Sequence, residues 1–143
     1  CLHVGRILAQ AFGRPAPEAV AAQVAAGKLG RKSGAGLYAW QDGKAVKPAT
    51  EGSAPADLED RLVLPMINEA VAILREGVVA DADLIDAGVI FGSGFAPFRG
   101  GPLRYARERG TEVVFSRLRE LEARHGARFR PDAGWDALTR GTL

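Results

Sequence analysis

The amino-acid sequence predicts an all-α fold, and three observations support that prediction. Apolar residues recur three and four positions apart through most of the 143 residues, as they do along one face of a helix. Glycine or proline stands near the ends of these periodic segments, where helices begin and stop. A single short segment, at residues 37–40, has the extended pattern of a strand.

The first part of the chain predicts two short helices followed by a loop and a linker. The helices are expected over residues 2–13 and 17–27, and each ends at a glycine. Residues 27–36 contain four glycines, which predicts a loop. After the extended segment, residues 41–56 contain proline, glycine and serine and predict a flexible linker.

A second helical unit is predicted from residue 57 onward. Its first helix carries two adjacent apolar stripes, and such a wide apolar face indicates a largely buried helix. Pro65 lies inside this helix and should kink it, because a proline ring displaces the carbonyl four residues earlier. The first stripe is Leu58, Leu62, Met66, Ala70 and Ile73, and the second is Val63, Ile67, Val71 and Leu74.

Three further helices are predicted in this unit. One covers residues 82–90 and is capped by Asp81, whose carboxylate can accept from a free amide of the first turn. Another covers residues 102–110, and the last covers residues 111–126 with Thr111 as its cap.

Two segments of this unit carry aromatic residues outside the predicted helices. The loop over residues 91–101 holds three phenylalanines among four glycines, and we expect it to pack against the helices, since loose loops do not keep three such rings in water. The tail carries Trp135 and Leu138 one helical turn apart, so we expect it to dock.

The composition is that of an ordinary globular protein and argues against several functional classes. Apolar residues make up 47% of the chain, charged residues make up 25%, and the net charge is +2. No apolar run approaches the roughly 18 residues of a membrane span, no secretory signal pattern opens the chain, and the single cysteine excludes disulfide and multi-thiolate metal sites. The charge is spread evenly along the sequence, whereas nucleic-acid binding usually needs a concentrated basic face. We expect a cytoplasmic protein that neither spans a membrane nor binds nucleic acid.

The glycine-rich loop contains patterns that are typical of phosphate binding. Residues 34–39 fit the G-x-G-x-x-A pattern of dinucleotide sites, but that mechanism needs a strand before the pattern and a helix after it, and neither is predicted here. Lys28, Arg31 and Lys32 can meet an anionic ligand such as a CoA phosphate, and a solvated turn is the alternative interpretation.

No catalytic, cofactor-binding or metal-binding constellation is predicted from the residues. His3 and His125 lie far apart in the sequence without a nearby serine or aspartate arrangement, so we expect surface or hydrogen-bonded histidines. Asn68 and Glu69 lie together on the central helix, where a structural hydrogen bond is the preferred interpretation and catalysis is the alternative.

Several of these motifs together resemble one enzyme family. Residues 30–38 (GRKSGAGLY) are similar to the G-[RK]-K-[ST]-G-x-G-F-Y loop of 3-hydroxyacyl-CoA dehydrogenases. Residues 61–70 (RLVLPMINEA), 76–79 (EGVV) and 92–102 (GSGFAPFRGGP) resemble the second C-terminal helical repeat of the multifunctional members, which also carry an enoyl-CoA hydratase domain. The final residues, 128–141, fit that family's ending as well.

The resemblance implies a domain organisation and a set of missing parts. It implies a remnant of the first repeat at residues 1–40, a linker at residues 41–56 and the second repeat at residues 57–143. In the family, NAD and the catalytic His–Glu pair belong to an upstream Rossmann domain, and an Asn-Arg dipeptide opens the first repeat. Asp60-Arg61 stands where the second repeat would carry that dipeptide, so the amide donor is lost.

The resemblance also implies a function. We expect the C-terminal structural or dimerisation-type module of an NAD-dependent (3S)-3-hydroxyacyl-CoA dehydrogenase of fatty-acid β-oxidation, inactive by itself as a fragment, with acyl-CoA as the parent's substrate. The second repeat would pack on the first, and the isolated chain would self-associate. The alternative is a stand-alone helical protein-interaction module. The candidate packing residues are Leu62, Met66, Ala70, Ile73, Phe91, Phe95 and Phe98.

Overall fold

The structure is a computed structural model that describes residues 1–49 and 52–143, and it confirms the predicted all-α class. The chain divides into two compact units, Cys1–Gly52 (unit 1) and Ser53–Leu143 (unit 2). Helices dominate the described residues, and their strands form one two-stranded sheet, whose first strand includes residues 39 and 40 of the predicted extended segment.

Unit 1 contains two short helices, an ordered glycine loop and a hairpin. The helices are α1 (Leu2–Ala11) and α2 (Glu18–Ala25). In the loop that follows, the Ser33 hydroxyl accepts from the Leu29 amide at 2.8 Å and lies 2.9 Å from the Ala35 carbonyl. Gly36 approaches the backbone of Gly30 so closely that a Cβ at Gly36 would lie 2.7 Å from its Cα. The hydroxyl and the two small residues therefore fix the loop between α2 and the hairpin.

The hairpin occupies the start of the predicted linker. Strands β1 (Ala39–Gln41) and β2 (Lys44–Val46) pair antiparallel, with Trp40 opposite Ala45. Asp42 and Gly43 both have positive φ, at 49° and 73°, which is the conformation of tight two-residue turns between paired strands. The sequence predicts this turn, but it does not predict strand β2, which follows the turn in the expected linker. Of the predicted linker, Thr50 and Glu51 lie outside the described residues.

Unit 2 is built from five helices around one apolar core. They are α3 (Leu58–Arg75), α4 (Ala82–Ser93), α5 (Pro102–Arg109), α6 (Thr111–His125) and α7 (Trp135–Thr139). The core includes large side chains from each of these helices and from the turn between α6 and α7. Its fully buried members include Leu64, Ile67, Leu103, Leu118, Leu121, Phe129 and Trp135.

Helix α3 buries a narrower face than the sequence predicts. Its buried residues are Leu64, Ile67, Ala70 and Val71, whereas Leu62 is 70% exposed. The helix continues through Pro65. The two predicted stripes are therefore only partly buried, because α4, α5 and α6 contact one side of the helix.

The ends of three helices test the predicted caps and boundaries. Asp81 caps α4 as predicted, since its Oδ1 accepts from the Leu84 amide at 2.9 Å. Thr111 does not cap α6: Gly110, with φ 94°, precedes the helix and Thr111 is its first residue. Helix α4 continues beyond residue 90 and ends before Gly94, whose φ of 74° suits glycine.

Candidate functional site

Unit 1 contains an open cavity of about 470 Å³, which we call the unit 1 groove. Helices α1 and α2 form one wall, and the glycine loop with the start of the hairpin forms the other. Its lining is mostly apolar and aromatic, a composition typical of ligand and peptide sites. The lining includes Leu2, Val20, Gln23, Val24, Lys28, Leu29, Leu37, Tyr38 and Trp40.

The polar side chains of this groove include Gln23 and Lys28. Gln23 lines it, and the Oε1 atom of Gln23 is buried without a hydrogen-bond partner. Lys28 contributes the cation of the lining. A buried acceptor without a donor costs free energy.

The three predicted anion-binding residues do not converge. Lys28 lines the groove, but neither Arg31 nor Lys32 does. The Arg31 guanidinium lies against the hairpin turn, where a Cβ added to Gly43 would be 3.0 Å from its Nη2. Lys32 is exposed on the loop. The structure therefore brings one of the three cations to the groove and spreads the other two around the loop.

Asn68, one of the two candidate catalytic residues in unit 2, binds the C-terminal tail through hydrogen bonds. Its Oδ1 accepts from the Asp132 amide at 2.8 Å and from the Trp135 indole Nε1 at 2.7 Å, and its Nδ2 donates to the Arg130 carbonyl at 3.0 Å. Glu69 is exposed, not buried. The structure thus bears out the structural interpretation of Asn68 and the docking of Trp135.

Asp60, which the resemblance places opposite an asparagine of the first repeat, is held by two arginines. Arg109 Nη1 lies 2.6 Å from one carboxylate oxygen, and Arg117 Nε lies 2.7 Å from the other. The hydrogen bond from Arg109 and then that from Arg117 lower the pKa of this carboxyl. Asp60 therefore stays charged and ties α3 to α5 and α6.

Asp57 and His125 form a contact that sequence reasoning missed. His125 Nε2 lies 3.0 Å from the buried Asp57 carboxylate, and Arg61 and Arg124 lie within 4 Å of it. The hydrogen bond to His125 lowers the pKa of Asp57. No local pattern links the two residues, which lie 68 positions apart.

Asp86 is another buried carboxylate with a structural role. Its two oxygens accept from the backbone amides of Leu103, at 2.7 Å, and Arg104, at 3.0 Å, at the start of α5. Burial raises the pKa of Asp86, and these two amides oppose that effect. A Cβ at Gly101 would collide with the Asp86 side chain. Asp86 therefore caps α5 from α4.

The predicted packing residues lie in different environments. Phe91 and Phe98 are 87% and 85% exposed, so the prediction that this loop packs its three rings against the helices is wrong for these two. Phe91 belongs to α4, and the guanidinium of Arg99 lies 5.6 Å from the centre of the Phe98 ring. Ala70 is buried in the core of unit 2 and cannot contribute to a repeat contact. Of the remaining predicted residues, Met66, Ile73 and Phe95 are half-buried and Leu62 is exposed.

Residues 1–49 and 52–143 lack a membrane-spanning helix and a metal-binding cluster. No helix there is both long and apolar enough to cross a membrane. In the same residues, no three His, Cys, Asp or Glu side chains come together in an arrangement that could hold a metal ion.

The helical fold and the motifs at residues 30–38 and 92–102 define the class: a helical domain like the C-terminal region of 3-hydroxyacyl-CoA dehydrogenases. The chain is 37% identical over 124 residues to the fatty acid oxidation complex subunit alpha of Vibrio parahaemolyticus, which covers 80% of this chain and 17% of that relative. It is 37% identical over 134 residues to the subunit of the same name from Shewanella amazonensis, and 38% identical over 127 residues to that from Vibrio cholerae. No family model matches the chain.

The chain is therefore homologous to a segment of the fatty acid oxidation complex alpha subunits, and the resemblance inferred from its motifs is confirmed. It spans less than a fifth of the length of these relatives, whose matched share is 17–19%.

Proposed function

We propose that this chain is the C-terminal structural module of an NAD-dependent (3S)-3-hydroxyacyl-CoA dehydrogenase of fatty-acid β-oxidation, in a cytoplasmic parent that also carries an enoyl-CoA hydratase domain. The observation that carries the proposal is the match to fatty acid oxidation complex alpha subunits over 80% of the chain. The motifs at residues 30–38 and 92–102 agree with it.

The chain by itself is proposed to be inactive. Hydride transfer needs a bound cofactor and a positioned base, which this proposal assigns to the parent's Rossmann domain. In unit 2 the buried or half-buried carboxylates Asp57, Asp60 and Asp86 all accept hydrogen bonds that join structural elements. Their engagement supports a scaffold role, since none is left free to exchange a proton with a substrate.

Two surfaces are proposed to contact other parts of the working enzyme. Lys28, Arg31 and Lys32 lie on one exposed loop, and their combined positive charge would attract the anionic phosphates of CoA. Phe91 and Phe98, exposed on unit 2, would pack against the first repeat and drive self-association when it is absent.

A chimera tests this function directly. The matching segment of the Vibrio parahaemolyticus alpha subunit is replaced by this chain, and NAD-dependent oxidation of 3-hydroxybutyryl-CoA is measured. We expect the chimera to keep the activity within about tenfold, and both a deletion of the segment and the isolated chain to show none. A chimera that folds and binds NAD but is as inactive as the deletion would overturn the proposal.

The same experiment decides the alternative, a stand-alone helical protein-interaction module. The exposed rings of Phe91 and Phe98 favour that alternative as well, because both functions need an apolar surface. Only the dehydrogenase module restores oxidation in the chimera.

A further inference from the structure

Asp57 stands at the cap position of α3 but does not cap the helix. A capping aspartate usually has an extended backbone and accepts a hydrogen bond from an amide of the first turn. Asp57 has ψ 7°, and among the described residues its carboxylate accepts from no amide of that turn. The carboxylate is buried and lies 3.0 Å from Nε2 of His125, the last residue of α6. The local bond of a cap is therefore replaced by a bond to another helix.

His125 lies where a positive charge is favoured. The carbonyl groups at the C-terminus of a helix attract a cation, and His125 ends α6. Its side chain is 26% exposed, and its ring centre lies 5.9 Å from that of Phe129. An imidazole gains or loses its charge between about pH 5 and 8. The contact with the carboxylate is therefore an ion pair at the acidic end of that range and a weaker contact with a neutral ring at the other end.

Three arginines lie near this contact, and each is less suited to join the two helices. Arg124 Nη2 lies 3.6 Å from the carboxylate, but its side chain is 60% exposed, so water and salt weaken the attraction. Arg61 Nη1 lies 3.8 Å from the carboxylate, but it belongs to α3 itself. The guanidinium of Arg128 lies 4.4 Å from the centre of the Phe129 ring, on the aromatic neighbour of the histidine.

The other carboxylates of this region are paired elsewhere. Glu122, one turn before the histidine on α6, accepts from Arg130 Nε at 2.8 Å, and Asp60 is held by its two arginines. The hydrogen bond to His125 lowers the pKa of Asp57, against the opposing effect of burial, and the charges of the nearby arginines lower it further. Asp57 therefore stays charged over the range in which an imidazole titrates.

We propose that Asp57 and His125 form a pH-sensitive latch between α3 and α6. At about pH 5.5 the imidazolium holds the carboxylate and leaves α3 without its cap. Near pH 8 the neutral ring releases the carboxylate, and Asp57 turns to an extended backbone conformation in which it accepts from the amide of Glu59 or Asp60. The two states differ in the backbone of one residue, and a proton on His125 selects between them. The inference does not depend on the proposed function.

The charges give the sign of the pH dependence. The folded chain binds the proton of His125 more tightly than the unfolded chain does, because Asp57 faces the imidazole only after folding. The latch therefore stabilises the fold most at mildly acidic pH, and its contribution falls as the pH rises through the range of imidazoles.

A pH titration of the 143-residue chain by NMR tests whether the two residues switch together. The ring protons of His125 give the midpoint of its titration. We expect the backbone carbon shifts of Asp57 and the amide shifts of Glu59 and Asp60 to change with that same midpoint. His3, which is exposed on α1, is the control, and the midpoint of its titration should not appear in the shifts of α3.

Matched variants measure the latch through the equilibrium constant of unfolding in urea. Asp57→Asn removes the charge but keeps the ability to cap, since asparagine caps helices as well as aspartate does. His125→Gln keeps a donor that cannot be charged. In a double-mutant cycle, we expect the coupling of the two residues to change this constant about tenfold at pH 5.5 and less than about threefold at pH 8. His3→Gln should keep the pH dependence of the original chain.

Either of two results would overturn the inference. The first is a coupling between Asp57 and His125 that is the same at both pH values. The second is a backbone of Asp57 whose shifts ignore the titration of His125, which would make the contact a static ion pair.

Discussion

The two units differ in how many of their own apolar side chains each one buries. Unit 2 encloses a core in which Trp135, Phe129 and Leu64 are fully buried. Unit 1 buries none of its described residues and exposes apolar groups such as Phe12 and Leu37. Both contain helices with apolar faces, so helix formation alone does not make a unit self-sufficient. What separates them is whether the faces have partners.

Their polar groups differ in the same way. In unit 2 the carboxylates of Asp57, Asp60 and Asp86 each bind a group on another element. In unit 1 the charged groups form no ion pair with other described residues. Among the described residues, each unit leaves one buried polar atom without a partner, the Oε1 of Gln23 in unit 1 and the Nε of Arg61 in unit 2. The comparison teaches that unit 2 is stabilised by contacts between its own elements, whereas unit 1 has few such contacts among its described residues.

The largest effect on the free energy of unfolding is expected from truncating a buried ring, and truncation of an exposed side chain is the comparison. Trp135→Ala removes a fully buried indole and its hydrogen bond to Asn68, and it should lower the free energy of unfolding by about 3–5 kcal/mol. Leu37→Ala, at a residue 76% exposed in unit 1, should change it by less than about 0.5 kcal/mol. Urea unfolding followed by circular dichroism measures both. Similar losses from the two variants would break the contrast between the units.

A smaller effect on the free energy of unfolding is expected from the ion pairs of Asp60. Asp60→Asn weakens the hydrogen bonds of Arg109 and Arg117 and should cost about 1–2 kcal/mol near neutral pH, since the group is only partly buried. Because folding lowers the pKa of Asp60, its contribution is present above the unfolded pKa of about 3.9 and is lost as the pH falls through the folded value.

The pH dependence provides the check on that interpretation. The difference in unfolding free energy between the original chain and Asp60→Asn should shrink as the pH is lowered from about 5 toward 2. Glu69→Gln, an exposed carboxyl on the same helix, is the control and should show no such change. A difference that stays constant over this range would show that the charge of Asp60 does not stabilise the fold.

The smallest effect on stability is expected from the exposed rings of unit 2. Phe91→Ser with Phe98→Ser should leave the unfolding free energy within about 1 kcal/mol, because both rings already lie in water. The same double variant should shift the chain from associated species to monomer in sedimentation experiments. Unchanged association would show that another surface holds the copies together.

The sequence predicts those features of the fold that depend on nearby residues. Helix spacing, the Asp81 cap and the docking of Trp135 all follow from patterns within a few positions. The contacts of Asp57 with His125 and of Asp60 with Arg117 join residues 68 and 57 positions apart, and no local pattern announces them. The sequence also cannot tell whether an apolar face is covered, which is why the expected packing of Phe91 and Phe98 was wrong.

The sequence predicted which loop carries the candidate site residues, but it did not predict where their side chains lie. Lys28, Arg31 and Lys32 are correctly assigned to one loop, but backbone turns at glycines direct Arg31 toward the hairpin and away from the groove. The orphan acceptor of Gln23 gave no signal in the sequence, since an Ala-rich helix with one glutamine is ordinary. Its importance comes from burial, which only the folded chain reveals.

The hydrogen bonds of Asn68 to the tail affect the order in which unit 2 can fold during synthesis. Helix α3 leaves the ribosome long before Arg130, Asp132 and Trp135, its partners 62 to 67 positions later. The apolar face of α3 therefore stays uncovered until these later residues have been synthesised, and non-local contacts of this kind slow folding. During that interval the exposed apolar face of α3 makes the nascent unit prone to aggregation.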